Sequence, residues 1–412
     1  MRGKVTRVVT LLLCSALLAT LSGLGGCAEK ESRSTEVVIG FLGDFTGPSS
    51  EAIGVVYDSF TDYLRSAEEE NPLPGLKLRV ITYDRRGDYG RIPAGYLWLK
   101  NQGASVVLCP ASMDVEMLAH RLVQDEIPAV STSALEAIRA HDWAFFQLET
   151  LESQHAALLQ WIEDTWDYTG EGRSPRVGAI GFGGIATCVQ SVAGMEQYVT
   201  DNPGKIEWLG AKYAPVGTSA WAIEVGAMKD ADYVVPAVFG ATGGMIVKEA
   251  RLRGYTGGFI TTSMTFPGYW DLVRSIAAAS DLYEIYHSHQ TPWCDECSFA
   301  TGWKAGVAKY RPGAYADKQT ELSGYASGWA LGIWMVDVMR RAADEVGAEN
   351  VNGSAIQDAL AATDLDLSSE GWGGTWEMGA GHVLIHTAKT YQWSTENENW
   401  VPVCDWFPIG PA

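Results

Sequence analysis

Within eleven residues the chain sets His287-Ser288-His289 and Trp293-Cys294-Asp295-Glu296-Cys297, two imidazoles and two thiols at close spacing. Three chemistries suit that density. Cys294 and Cys297 can close a surface loop as a disulfide, the ordinary fate of neighbouring thiols in an oxidising compartment. With His287 and His289 they make a tolerable tetrahedral zinc set. As a redox pair they are poorly placed, because Asp295 and Glu296 raise a thiol pKa where a catalytic thiolate needs positive potential. The disulfide is the first choice and no metal is assigned. Of the seven cysteines, Cys14 and Cys27 lie at the start, which leaves Cys109, Cys188, Cys294, Cys297 and Cys404. Five is odd, so at least one thiol has no partner in the chain. A Cys188–Cys404 bridge is a further expectation, and Cys109 reads as a small buried side chain.

Catalytic motifs are missing. No GxSxG, HExxH, Walker loop or GxGxxG with its acidic partner occurs, so no catalytic residue and no cofactor are assigned. Phe182-Gly183-Gly184 reads as a flexible turn. His120, His141, His155, His382 and His386 are scattered and carry no assigned role.

The elements that must carry any site alternate in type. Apolar β-branched runs predict strands over 37–42, 76–83, 105–109, 128–131, 176–181, 233–239 and 259–263, with amphipathic stretches between them. Over 153–166, Leu158, Leu159, Ile162 and Trp166 fall at helical spacing and read as a core stripe. Parallel strands joined by helices in a chain of 412 residues call for two α/β lobes with a cleft between them. In such sheets ligands settle where strands end and helices begin. The loops Gly43-Asp44-Phe45-Thr46-Gly47-Pro48, Cys109-Pro110-Ala111-Ser112-Met113-Asp114 and Ser131-Thr132-Ser133-Ala134 meet that description with hydroxyls and little charge.

Charge narrows the partners. Fifty acidic against 30 basic side chains give a net of −20, which repels polyanions, so nucleic-acid binding is excluded. Sixteen Trp and 17 Tyr suit the enclosure of a small organic molecule instead. Arg2, Lys4 and Arg7 precede an uncharged run over 8–26, the layout of a secretory signal. That run ends in Leu24-Gly25-Gly26-Cys27, which resembles the bacterial lipobox, in which cleavage before the cysteine accompanies diacylglycerol transfer to its thiol. The alternative is an uncleaved membrane anchor, against which Gly23, Gly25 and Gly26 weigh as poor helix formers. Residues 1–26 are thus expected to be a lipoprotein signal peptide, Cys27 the lipidated first residue and 27–36 a tether. Its loss leaves 27 basic against 50 acidic side chains, a net of −23.

The stretches VVIGFLGDFTGPSSEAIG, LKLRVITYD, SVVLCPASMDVEMLA and IPAVSTSA, followed by DLYEIYHS, resemble the type I periplasmic binding proteins, specifically the branched-chain amino acid transporter family. The resemblance implies an α/β fold of two doubly wound parallel-sheet lobes, joined by three crossovers, closing on a solute that is passed to an ABC transporter permease. It sets lobe 1 at 37–152 plus 282–365 and lobe 2 at 153–281 plus 366–412. The family's carboxylate-binding hydroxyl falls on Ser112, and its backbone ligands on Ser133 and Leu135, beside Ala134. The threonine that grips an ammonium is replaced by Leu135, the tyrosines of the second lobe fall near Ala186 and Phe239, and the acidic ammonium partner falls near Ser263. A buried ammonium without a counter-charge is costly. The matched positions, with Phe45, Met113, Phe182, Phe239 and Met264, therefore favour an aromatic or aliphatic carboxylate over an amino acid. Uptake is the expected role, and a sensing receptor that signals to a membrane partner is the alternative.

Overall fold

A computed structural model describes residues 34–70, 72–262, 266–315, 322–379 and 381–410. The first sheet has the order β13-β5-β4-β3-β1-β2 and is parallel throughout. Its strands are β1 (Thr35–Gly43), β2 (Leu76–Asp84), β3 (Ala104–Leu108), β4 (Ala129–Ser133), β5 (Ala144–Leu148) and β13 (Val383–Ile385). Strand β1 is interior, paired to β2 and β3, and from Val37 onward every residue is buried, as a parallel strand covered on both faces requires. At the edge, β2 turns Lys77 and Arg79 to solvent, which blunts the open side of the sheet.

The second sheet runs β15-β14-β10-β9-β8-β6-β7, with β16 also paired to β14. It comprises β6 (Arg176–Phe182), β7 (Glu207–Ala214), β8 (Tyr233–Ala237), β9 (Gly258–Thr262), β10 (Ile285–His289), β14 (Thr387–Ser394), β15 (Asn399–Pro402) and β16 (Phe407–Pro408). The first five are parallel, and β14 joins β10 antiparallel. A ribbon of β11 (Asp364–Asp366) and β12 (Thr375–Glu377) stands apart from both sheets.

Helices α1 (Ser50–Glu70), α2 (Ile92–Asn101) and α3 (Ser112–Asp125) link the early strands of lobe 1. Lobe 2 holds α4 (Leu151–Thr165), α5 (Ala186–Asp201), α6 (Ala222–Ala227), α7 (Ala241–Leu252) and α8 (Trp270–Ile276). The chain then returns to lobe 1 as α9 (Ser298–Tyr310), α10 (Leu322–Val346) and α11 (Gly353–Ala361). The most extensive helix packing is α1 on α10, where Gly328 lets the backbones approach: a Cβ there would stand 2.4 Å from the Val56 carbonyl oxygen. Three residues of the stripe expected on α4, Leu158, Leu159 and Ile162, are fully buried, whereas Trp166 follows the last residue of the helix and is half-buried. Thr150 starts that helix, its hydroxyl accepting from Ser153 N at 3.1 Å.

The two-lobe α/β architecture agrees with the sequence reading, whereas two borders differ. Strand β10 pairs with β9 and β14, so 285–289 belongs to lobe 2 and the second crossover follows His289, later than the expected border at 282. Burial explains this: all five residues of β10 are enclosed, a position between two strands that an edge could not offer. Conversely, β13 pairs with β5, so the chain visits lobe 1 once more and crosses for the third time at His386, well after 365.

Candidate functional site

Lobe 1 brings its loops together through two carboxylates, Asp44 buried and Asp84 half-buried. Asp44, after β1, accepts from Gly47 N at 2.8 Å and Ser49 N at 3.0 Å, which folds the loop onto the start of α1. Asp84, ending β2, accepts from Phe45 N at 3.0 Å, Thr46 Oγ1 at 2.6 Å and Arg86 N at 2.9 Å. Burial works to raise the Asp84 pKa, but those hydrogen bonds together hold it below the usual carboxylate range. Phe45 is thereby fixed half-buried, tilted on Phe41 at 5.8 Å and edge-on to Tyr57 at 5.3 Å.

Ser112 opens α3 and is half-buried, as is Met113. Two residues on, Asp114 is 1% exposed and faces Arg85, itself buried, at 3.1 Å. Burial pushes its carboxyl up to about 6, against the pull of Arg85 and with a smaller push from Asp44. Thr132 Oγ1 and Ser131 Oγ donate to the Pro110 carbonyl at 2.7 and 3.2 Å, which ties the end of β4 to the β3–α3 loop. Ser133 is half-buried beside them. Ala134 and Leu135 instead turn into the lobe 1 core. The Ala134 N–H donates to Leu148 O at 2.9 Å, and the Leu135 carbonyl accepts from Ile138 N at 3.0 Å.

In lobe 2, Phe182 is 7% exposed and packs edge-on to Trp221 at 5.4 Å, a core position and not a cleft wall. Phe239, after β8, is half-buried and borders a void of about 10 Å³ with His155, Ser191 and Thr262. Such a void fits about one water. His155 Nδ1 donates to Leu151 O at 2.8 Å, and burial drops its pKa to about 4, so its Nε2 is a neutral acceptor. Neither that atom nor Thr262 Oγ1 has a protein partner. Ser263 and Met264 lie outside the described residues, as does Cys27.

The lobes meet. One apolar cluster runs from Phe41, Phe60 and Tyr325 in lobe 1 to Trp221, Phe266 and Trp270 in lobe 2, with Phe45 and Phe239 on its fringe. Tyr269 of lobe 2 has its pKa raised by burial and then by Glu51 at the start of α1, which sets the two within electrostatic reach across the gap.

Three crossovers form the hinge, and polar groups tie them. Glu149, on the first, is fully buried; Arg139 faces it at 3.1 Å, and His386 Nδ1 of the third crossover meets its Oε1 at 2.7 Å. Gln290, on the second, donates through Nε2 to Ile385 O at 2.8 Å. The sequence reading missed all three, having left His386 without a role; the one available sign was a lone acidic residue directly after an apolar run, AFFQLE, where a sheet strand ends.

The cysteine and histidine motif resolves differently from the first choice. Cys294 and Cys297 are free, and Cys297 accepts from Ala300 N at 3.4 Å as the N-cap of α9. Burial and then Asp295 raise the Cys294 thiol; burial also raises that of Cys297. His287 lies stacked on Tyr391 at 5.1 Å and edge-on to Trp400 at 4.4 Å, and His289 Nδ1 accepts from Thr291 N at 2.9 Å. Burial lowers both imidazole pKa values, that of His289 to about 3. Among the described residues no group of three or more His, Cys, Asp or Glu side chains could hold a metal, so the alternative zinc set is not assembled. Cys188 and Cys404 are free as well and belong to different apolar clusters, the first to the large one that spans the lobes and the second to the fringe of the smaller one around Leu158 and Ile162. Cys109 is fully buried, as expected.

Among the described residues no helix is long and apolar enough to cross a membrane. No curated protein matches the sequence. Solved structures do. A branched chain amino acid ABC transporter protein from Thermus thermophilus with bound valine is 16% identical over 91% of this chain and 97% of its own, with a TM-score of 0.76. A fatty acid ABC transporter substrate-binding protein from Thermomonospora curvata is 13% identical over 91% and 92%, with a TM-score of 0.74. An ABC transporter substrate-binding protein from Sphaerobacter thermophilus is 16% identical over 91% and 98%, with a TM-score of 0.74. The family model "Periplasmic binding protein" matches residues 36–398. With two parallel-sheet lobes, three crossovers and that match over most of its length, the chain belongs to the periplasmic binding protein family and has its type I fold.

Proposed function

We propose that this protein captures a small organic carboxylate, aromatic or aliphatic, between its lobes and delivers it to the permease of an ABC importer. Capture is hinge closure: each lobe supplies half of the contacts, so only the closed liganded state satisfies both. No bond of the solute is made or broken. Lipid on Cys27 holds the body at the outer side of a membrane.

The observation that carries the choice of solute is that the acidic groups at the lobe 1 strand ends are already engaged. Asp44 and Asp84 are taken up by loop N–H and hydroxyl groups, and Asp114 by Arg85. An ammonium entering there would have to compete with the loop donors for Asp44 and Asp84 and with Arg85 for Asp114, whose Oδ1 alone has no partner, to offset its desolvation. Ser112 at the start of α3 supports the other charge, since hydroxyl and N–H groups at a helix N-terminus suit a carboxylate. Phe45, Tyr57 and Phe239 supply apolar surface for the remainder of the solute. The fold hosts both chemistries, valine in one relative and a fatty acid transporter in another.

The test is a thermal-shift screen of phenylacetate, hexanoate, leucine and valine, followed by calorimetry on hits. A ligand at 100 times its Kd adds about 2.7 kcal/mol of stability. Phenylacetate or hexanoate is expected to give the larger shift, and Ser112→Ala to weaken that binding. Leucine or valine giving the larger shift would overturn the reading of the solute; no shift with any of the four would overturn capture of this ligand class.

A further inference from the structure

Asp114 is the acidic side chain of the first turn of α3, two positions after Ser112, and Ala111 ahead of them supplies no side-chain cap. Among the described residues the ionisable groups in electrostatic reach of it come from three strand ends: Arg85 after β2, at 3.1 Å, Asp44 after β1 and Cys109 after β3. Arg85 in turn faces the Tyr89 ring at 4.8 Å. Burial pushes the Cys109 thiol well up, so it stays neutral.

Two carboxyls and one guanidinium thus share an enclosed space, with Asp44 and Asp114 each 1% exposed and Arg85 4%. Asp44 uses both oxygens to accept N–H bonds, at 2.8 Å from Gly47 and 3.0 Å from Ser49. Asp114 keeps Oδ1 without a partner. A buried oxygen that lacks a donor is tolerated better in a neutral carboxyl than in a carboxylate, so the proton that relieves this crowding belongs on Asp114. Its carboxyl, which burial raises to about 6 against the pull of Arg85, gives that proton up in the weakly acid range.

A carboxylate solute seated at Ser112 would feel the change. Ionised, Asp114 cancels the Arg85 charge and sets a negative charge in the turn that would hold the solute. Protonated, it leaves the guanidinium unmatched and adds no repulsion. Solute and proton then favour each other, and the coupling is reciprocal. We propose that Asp114 makes capture proton-linked: the protein takes up a proton with its carboxylate solute and lets the solute go more readily as pH rises. This regulation rests on the carboxylate reading of the same site.

The test measures the Kd of phenylacetate and hexanoate by calorimetry at about pH 5.5 and about pH 7.5, a window in which carboxylic acids with a pKa of about 4 to 5 stay ionised. Affinity is expected to be about fivefold to tenfold higher at the lower pH. Titrations at about pH 6.5 in two buffers of different ionisation enthalpy are expected to show uptake of about half a proton per solute bound. Asp114→Asn, neutral throughout, should bind at the higher pH as the wild type does at the lower, with no proton uptake. Should that variant fail to fold, proton uptake by the wild type decides alone. Equal wild-type affinity at the two pH values, no proton uptake, or pH dependence kept in folded Asp114→Asn would overturn the linkage and leave capture of a carboxylate standing. Binding of neither acid at either pH would overturn both.

Discussion

Replacing Glu149 by Gln removes one charge from a fully enclosed position and leaves Arg139, 10% exposed at its side chain, facing a neutral amide. Breaking a buried pair in this way costs about 3–5 kcal/mol. Two features reduce the figure here. Gln can still accept one hydrogen bond from Arg139, and Glu136 lies 3.6 Å from the guanidinium, although at 68% exposure it contributes little. The expected loss is about 2–3 kcal/mol, read as a lowered urea midpoint at unchanged m-value. A matched control is Glu36→Gln, whose Arg79 partner lies 2.7 Å away but with 43% and 47% of the two side chains exposed; there the loss should stay under about 0.5 kcal/mol. The double variant Arg139→Met/Glu149→Leu, which removes both charges, should recover most of what Glu149→Gln loses. If Glu149→Gln costs no more than the surface control, or if the double variant is worse than the single one, enclosure of the ion pair is not what governs this hinge.

Asp114 predicts a pH effect of definite sign. Its folded pKa of about 6 lies above the unfolded value, so the native state holds a proton that the unfolded chain has released, and this residue's contribution to stability falls as pH rises from about 4 to 6. The difference in stability between wild type and Asp114→Asn should therefore drop by about 2 kcal/mol across that window in urea titrations; a flat difference would refute the shift. For the thiols, alkylation of the denatured protein without reductant should label Cys109, Cys188, Cys294, Cys297 and Cys404 alike, as judged by peptide mass spectrometry. Protection of Cys294 together with Cys297 would restore the disulfide.

Six of the seven strands expected were legible because parallel strands covered on both faces are runs of apolar residues, as Val37 to Leu42 is, and the edge strand Leu76–Asp84 was legible from its alternation of apolar and polar residues. Two of the strands overlooked hide that signal. Glu207–Ala214 is the edge of its sheet and half-exposed, so its sequence, EWLGAKYA, lacks a clean apolar pattern. Ile285–His289 reads IYHSH and drew attention to metal chemistry, although aromatic rings enclose His287 on the sheet. The loops of the candidate site were located correctly as strand ends, but not the direction of their side chains: Leu135 and Phe182 are as apolar as Phe45, and only packing sends the first two inward.

Local pattern therefore determined which segments form strands and helices, that the lobes are α/β, and that loops rich in hydroxyls gather at the strand ends. Those properties depend on neighbours a few residues apart. The tertiary structure decided where the chain crosses between lobes, which thiols lie near one another and what fixes the hinge. Glu149 and His386 are 237 positions apart, and nothing near either residue marks it as a partner of the other. Their hydrogen bond exists because two sheets, each closing around its own core, bring the first and third crossovers side by side.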